Sequence, residues 1–386
     1  MYEIKTMNNI AQAGLNVLSS KGIMVNVDSP DPDALLVRSA KLHDIVFGDH
    51  LLAIGRAGVG VDNVPLERCT EEGIAVFNSS GANAQAVVEL AVCSLILASR
   101  NIMDGAFWAK SLSGHEDISA EIEAGKKNYV GPEIMGKTLG IIGLGNIGSR
   151  IANAAIGLGM DVVGYDPYMS VESAWRISSE VRHAEDLATV FRQSDYVLIQ
   201  LHLTDKTRGM LGSDAFRQMK NGVRIINLAR GGLVDTDAIL AAIASGKVAR
   251  YITDFPDEKL LGVNGVVAFP HLGASTPESE EKCAVMAAEE LADYLLHGNT
   301  KNCINLPDVN LDRAGEARIC VIHDNVPRMI NAFLDIISEQ DLNVEHMINK
   351  ARGEIAYTII DLGGSVSAEM YDRLCAVDHV KRVRVI

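Results

Sequence analysis

Three side chains of complementary chemistry end or follow apolar runs in the second half of the chain. Arg230 closes Ile225-Ile226-Asn227-Leu228-Ala229, Glu258 lies just past Asp254-Phe255-Pro256-Asp257, and His271 follows Phe269-Pro270 and precedes Leu272-Gly273-Ala274. In a doubly wound sheet, ligands bind outside the carboxyl ends of the strands, so residues in such positions face a ligand crevice. An imidazole there accepts a hydroxyl proton near neutral pH, and an acid beside it orients the ring and stabilises the imidazolium. A guanidinium presents a planar fork that grips a carboxylate and polarises a neighbouring oxygen. Together the three suit oxidation of an alcohol next to a carboxylate.

Such a reaction needs a hydride acceptor. Gly143-Leu144-Gly145-Asn146-Ile147-Gly148 lies between an apolar, strand-like run at 138–142 and an amphipathic, helix-like run at 149–158. In a strand-turn-helix unit the first glycine permits the tight turn, the second lets a pyrophosphate approach the backbone, and the third lets helix and strand pack closely. The phosphates then rest on the helix N-terminus. A second apolar strand ends at Asp166, about twenty residues after the middle glycine, where a carboxylate accepts bonds from an adenosine ribose. Its charge repels a 2′-phosphate, and Pro167, Tyr168, Met169 and Ser170 bring no cation. NAD is the expected cofactor.

The elements that must hold these groups alternate. Strands are expected at 196–201, 223–228, 250–253 and 266–269, continuing the nucleotide-binding sheet. Ahead of the glycine run, strands at 34–37, 51–54 and 74–77 alternate with helical stretches and predict a second parallel α/β lobe. A long apolar helix at 86–103 links the lobes, 111–129 reads as a loop or an arm reaching to another subunit, and a helix at 277–297 returns to the first lobe. From residue 316 the order becomes strand, helix, strand, strand, helix, strand, with Ile330, Phe333, Leu334 and Ile337 on one helix face. That βαββαβ order is ferredoxin-like. The fold class is therefore α/β: two doubly wound, Rossmann-like parallel lobes and a C-terminal ferredoxin-like domain.

A chain of 386 residues holds two or three cores. Its 48% hydrophobic and 22% charged content is that of a soluble globular protein, with no apolar run of membrane-spanning length and no basic-then-apolar leader, so a cytoplasmic location is expected. The net charge of −15 opposes association with nucleic acid or an anionic membrane, and it requires local arginines to reverse the field around an anionic substrate. The six cysteines are scattered without a Cys-x-x-Cys pair or a His cluster, so reduced thiols and no metal site are expected.

These features resemble the D-isomer-specific 2-hydroxyacid dehydrogenases over essentially the first 310 residues. The segments 136–140, 226–235 and 270–276 look like that family's signatures alongside the glycine run. The resemblance implies Arg230 as the substrate-binding catalytic arginine, His271 as acid-base and Glu258 as its paired acid. On the cofactor it implies Gly143, Gly145, Asn146, Ile147 and Gly148 around the pyrophosphate, Asp166 on the ribose and His202 near the adenosine. Asp254 falls on the nicotinamide carboxamide, with Ala229, Gly273 and Ala274 lining the site. The acid's run is one residue shorter than the family's and lacks its final proline, which leaves Asp257 and Glu258 both in contention.

Within the family, 55–64 is similar to the substrate-lobe loop of members that oxidise 3-phospho-D-glycerate to 3-phosphohydroxypyruvate in L-serine biosynthesis. Arg56 is then the phosphate-binding candidate, and the backbone N–H groups of Val59 and Gly60 bind the substrate carboxylate in a glycine-rich nest. The C-terminal segment resembles an ACT domain, the ligand-sensing module of serine-inhibited members. His323, Asn325 and Asn343 fall on its effector positions, and Arg328 stands where such modules usually have glycine. The expected division is a substrate-binding domain of 1–97 and 288–312, an NAD-binding domain of 98–287 and an ACT domain of 316–386, in a homodimer or homotetramer. A glycerate or hydroxypyruvate reductase of the same fold, and an NAD-sensing corepressor-like protein, are the alternatives.

Overall fold

A computed structural model describes residues 1–386 with the exception of the Glu172 side chain. The chain forms two compact units, 1–83 with 276–386, and 84–275. The first unit opens with β1 (Glu3–Met7), α1 (Gln12–Ser20), β2 (Met24–Val25), β3 (Ala34–Val37), β4 (Ala53–Arg56), α2 (Leu66–Glu71) and β5 (Ala75–Asn78). Its five strands are all parallel in the order β2-β1-β3-β4-β5, a doubly wound arrangement. Every residue of β3 is buried, as a strand covered on both faces requires.

The second unit contains α3 (Ala84–Ser99), α4 (Ile102–Ser111), α5 (Ile118–Gly125), β6 (Thr138–Ile142), α6 (Asn146–Gly157), β7 (Asp161–Tyr165), α7 (Val171–Arg176), β8 (Arg182–His183), α8 (Leu187–Gln193), β9 (Tyr196–Ile199), α9 (Ser213–Gln218), β10 (Val223–Asn227), α10 (Thr236–Ala244), β11 (Val248–Thr253) and β12 (Val266–Ala268). Its seven-stranded parallel sheet runs β12-β11-β10-β9-β6-β7-β8. The strand order reverses between β6 and β9, and that switch point opens a crevice at the carboxyl ends. No single helix among the described residues is long and apolar enough to cross a membrane.

The chain returns to the first unit through α11 (Pro277–His297). This helix has strong ends: Thr276 accepts the N–H of Ser279, Pro277 occupies the first turn, and left-handed Gly298 closes the C-terminus. It packs so closely on the first sheet that a Cβ on Gly55 would lie 2.7 Å from Leu291 Cδ1. Each connecting helix belongs wholly to one unit, so the units divide at 83/84 and 275/276, whereas the sequence reading divided the domains at 97/98 and 287/288.

Beyond α11 come β13 (Ala317–Asp324), α12 (Met329–Ser338), β14 (Val344–Arg352), β15 (Ile355–Leu362), α13 (Ala368–Cys375) and β16 (Val380–Val385), paired antiparallel in the order β14-β15-β13-β16. This is the expected ferredoxin-like βαββαβ topology. Arginines from it finish α11 by donating to carbonyls of its last turn. Arg384 donates to Tyr294 O and Leu295 O at 3.1 and 2.9 Å, Arg318 to His297 O at 2.7 Å, and Tyr357 to Gly298 O at 2.6 Å. Arg318 is held in turn by a fully buried bidentate pair with Asp361, at 2.6 and 2.8 Å.

An Asp361→Asn substitution removes the only carboxylate bonded to this buried guanidinium among the described residues. It is expected to cost about 3–5 kcal/mol, read as a lower denaturant midpoint in equilibrium unfolding.

Candidate active site

The glycine run makes the turn from β6 into α6, and each of its glycines meets a different constraint. Gly143 has φ +95°, and a Cβ there would lie 2.3 Å from Gln200 O. A Cβ on Gly148 would lie 2.0 Å from Gly143 O, so only hydrogen fits where helix meets strand end. At Gly145 a Cβ would meet nothing within 4 Å, which leaves open space above the backbone. A tight turn, a close contact and a cleared approach are what a dinucleotide pyrophosphate needs at a helix N-terminus. Asn146 and Ile147 begin that helix.

Asp166 follows β7 and is fixed by two backbone donors, Leu144 N to Oδ2 and Tyr168 N to Oδ1, each at 2.9 Å. The carboxylate is thereby tied to the glycine turn itself. His202, exposed in the loop after β9, has its carbonyl held by Thr207 Oγ1 at 2.7 Å.

Three neighbouring strands of the same sheet carry the next polar candidates beyond their carboxyl ends. After β10, the buried Asn227 side chain braces the turn by donating to Arg230 O at 2.9 Å and accepting from Ala229 N at 3.2 Å. Arg230 lies half-buried there, its Nη1 on Ala229 O at 2.7 Å. Asp254 follows β11 and is 1% exposed; Gly273 N donates to its Oδ2 at 3.2 Å, and its Oδ1 has no partner. Burial pushes this carboxyl above the usual carboxylate range, while the charges of His271 and Arg230 pull the other way. An unpaired buried acceptor costs free energy, and the amide N–H groups of a nicotinamide carboxamide are donors suited to it. His271, past β12, is exposed with its ring tilted against Phe255, centroids 4.5 Å apart. Ala274 follows half-buried.

Arg230, Asp254 and His271 are thus brought to one edge of one sheet. Of the two contending acids, Asp257 is consumed locally: it accepts from Thr236 Oγ1 at 2.7 Å and from the backbone of Lys259 and Leu260. Glu258 is exposed, and among the described residues no hydrogen bond or ion pair joins it to His271. The bracing Asn227 and the orphaned Gln200 Oε1 are polar groups that the sequence reading did not single out. An Asn ending an apolar strand two residues before Ala-Arg was the available signal.

In the first unit, Arg56 ends β4, with Nε on Arg38 O at 3.0 Å. Gly58, at φ +150°, gives the guanidinium room, since a Cβ there would lie 1.8 Å from Arg56 Nη1. Ser79 N ties Gly58 O at 3.0 Å, and Asn78 donates to Val59 O. The N–H groups of Val59 and Gly60 have no acceptor among the described residues.

In the C-terminal sheet, His323 is buried, with Nδ1 on Asp324 O at 2.8 Å and Nε2 2.9 Å from Thr358 Oγ1. Burial lowers its pKa and favours the neutral ring. Asn325 and Asn343 are engaged locally with Gly353 O and Glu345 Oε1. Arg328 has φ +76°, the left-handed conformation that favours glycine.

Residues 97–273 match the profile of the D-isomer specific 2-hydroxyacid dehydrogenase, NAD binding domain. A D-3-phosphoglycerate dehydrogenase of Methanocaldococcus jannaschii is 34% identical over 75% of this chain and 54% of its own length. A hydroxypyruvate reductase of Thermotoga maritima is 36% identical over 68% of this chain and 84% of its own length. The chain spans about half the length of the first relatives it matches. Among solved structures, cofactor (NAD+)-bound 3-phosphoglycerate dehydrogenase of Entamoeba histolytica shares the fold at TM-score 0.63 and 24% identity, over 79% of this chain and 98% of that one.

The glycine geometry separates binding from folding. Gly145→Ala is expected to leave the melting temperature unchanged and weaken NADH binding at least tenfold. Gly148→Ala is expected to lower the melting temperature as well, because its methyl collides with backbone. Calorimetry and fluorescence titration of each variant check both outcomes.

Proposed function

Since this chain belongs to the D-isomer-specific 2-hydroxyacid dehydrogenase family, we propose that it oxidises 3-phospho-D-glycerate to 3-phosphohydroxypyruvate with NAD, the first step of L-serine biosynthesis. The observation that carries the reading is the delivery of Arg230, Asp254 and His271 by β10, β11 and the segment after β12, beside the glycine turn of the same sheet. Relatives named D-3-phosphoglycerate dehydrogenase support the choice of substrate.

Bound NAD supplies the hydride acceptor. Arg230 holds the substrate carboxylate and polarises the oxygen that becomes a carbonyl. His271 accepts the hydroxyl proton, and Glu258 is the acid assigned to orient it once substrate is bound, catalytic hydrogen bonds commonly tightening at that stage. Asp254 accepts from the carboxamide, while Gly273, whose N–H holds Asp254, Ala274 and Ala229 line the site. Arg56 binds the phosphate, and Val59 and Gly60 donate to the carboxylate.

Residues 1–97 and 288–312 are read as substrate-binding, 98–287 as NAD-binding and 316–386 as an ACT regulatory domain that takes an amino acid such as L-serine through His323, Asn325 and Asn343. The βαββαβ order supports that last assignment. Helices α4 and α5 bury none of their residues and expose Phe107, which supports self-association into a homodimer or homotetramer. The protein is assigned to the cytoplasm. The 36% identical hydroxypyruvate reductase supports one second reading, a reductase of the unphosphorylated acid.

NADH formation with a panel of acids, with and without L-serine, tests the reading. Arg56→Ala is expected to raise KM for 3-phospho-D-glycerate far more than for glycerate, and equal effects would reject the phosphate role. His271→Asn is expected to reduce kcat by about 10² to 10⁴ with cofactor affinity retained.

A further inference from the structure

The sheet of the first unit is covered unevenly. Parallel strands need a crossover, usually a helix, yet residues 26–33 between β2 and β3 and residues 38–52 between β3 and β4 form none. Strand alternation sends Ile4, Ala34 and Leu36 to one face, where they join one core with residues of α1 and α11. Lys5, Met7, Leu35 and Val37 take the other face, and the last two belong to a separate core with Leu42, Leu51 and Cys69. Where that core meets β1, the loops leave a cavity of about 140 Å³, open to solvent. Its walls include Met7, Pro30, Pro32, Leu35, Phe47 and Leu51. Val46 also lines it and is 89% exposed, so the apolar surface continues out to solvent. The loop wall is held from α2: Arg68 Nη1 donates to Ile45 O at 2.7 Å, and its guanidinium lies 4.1 Å from the centre of the Phe47 ring.

Two polar groups interrupt this lining. Lys5 Nζ donates to Ser29 O at 2.8 Å and forms no ion pair among the described residues. Ser29 is 1% exposed, and its Oγ has no hydrogen-bond partner among them. Nearby acids are spent elsewhere: Glu3 Oε1 accepts from Asn26 Nδ2, Asp33 Oδ2 accepts from Glu3 N at 2.7 Å, and Asp31 faces His50 Nδ1 at 3.3 Å. None of these three acids lines the cavity. A buried hydroxyl without a partner costs free energy, and a half-buried ammonium gains from a charge-assisted bond.

We propose that this cavity binds a small apolar monocarboxylate, its hydrocarbon body against Pro30, Pro32, Leu35 and Phe47 and its carboxylate on Lys5 and Ser29. Size sets the class: an apolar cavity of about 150 Å³ accommodates benzene. None of the residues assigned to cofactor, substrate or hydride transfer lines the cavity, so the site is additional to the proposed active site.

Benzoate and its neutral counterpart benzamide, titrated calorimetrically into the full-length chain and its Lys5→Met, Ser29→Ala, Val46→Asp and Arg230→Met variants, provide the test. Benzoate is expected to bind the parent with a Kd of about 1 mM or tighter, and benzamide about fivefold more weakly. Lys5→Met should weaken benzoate about tenfold and leave benzamide within about twofold. Ser29→Ala should weaken benzoate about threefold. Val46→Asp, a change at an exposed position, should repel the anion and weaken benzoate more than benzamide, which keeps the test decisive if Lys5→Met does not fold. Arg230→Met should leave benzoate affinity unchanged. Absence of saturable benzoate binding by the parent overturns the proposal, as do equal affinities for benzoate and benzamide. Loss of binding in Arg230→Met, with Lys5→Met and Val46→Asp unaffected, places benzoate in the proposed active site and overturns it as well.

Discussion

The contact on which the second unit is built is the approach of Gly148 to Gly143 O, too close for any side chain. It seats α6 directly on the end of β6, so the helix's unsatisfied N–H groups point into the crevice where the strand order reverses. Asp166 reinforces this by accepting from Leu144 N, which makes its carboxylate part of the turn rather than a neighbour of it. Because all seven strands are parallel, one choice of direction puts Arg230, Asp254 and His271 on the same rim. The placement of these three side chains is thus a by-product of sheet topology, with Asn227 bracing the turn that carries Arg230.

Electrostatics sharpen the arrangement. The chain is acidic as a whole, yet Arg230 stands at the rim beyond β10, and Arg56 ends β4 shortly before Val59 and Gly60. Asp254 is the counterpoint, a carboxyl whose pKa burial raises while His271 and Arg230 nearby oppose that shift. Its free Oδ1 marks where a donor is missing from the protein's own hydrogen bonding.

Much of this was legible in the sequence because glycine spacing and continuous apolar runs report directly on backbone requirements. The strand at 34–37 matches to the residue, and the C-terminal βαββαβ order follows its pattern closely. The reading was weaker where tertiary contacts decide. Strand β4 begins two residues later than expected, and β1 was not singled out, because Glu3–Met7 mixes charged and apolar residues that only the sheet sorts. The long apolar helix ends at Ser99 and bends by 71° into α4. The expected loop or arm at 111–129 contains α5, capped by Asp117, whose side chain accepts Ala120 N. No local pattern announced that Asp257 would spend its carboxylate on Thr236, or that Asn153 would clasp the backbone of Arg176 and Ser178. Each depends on two segments meeting, and their spacing along the chain carries no such information.

Carbonyls of the last turn of α11 and of its cap Gly298 accept from Arg384, Arg318 and Tyr357, all from the C-terminal sheet. That sheet is therefore a keystone for the preceding helix as well as an appended module. Pruning it would strip a twenty-one-residue helix of its closing donors and expose the apolar seat of Tyr294 and Leu295. A lineage carrying this architecture can vary the outer surface of the last sheet far more easily than it can discard the sheet.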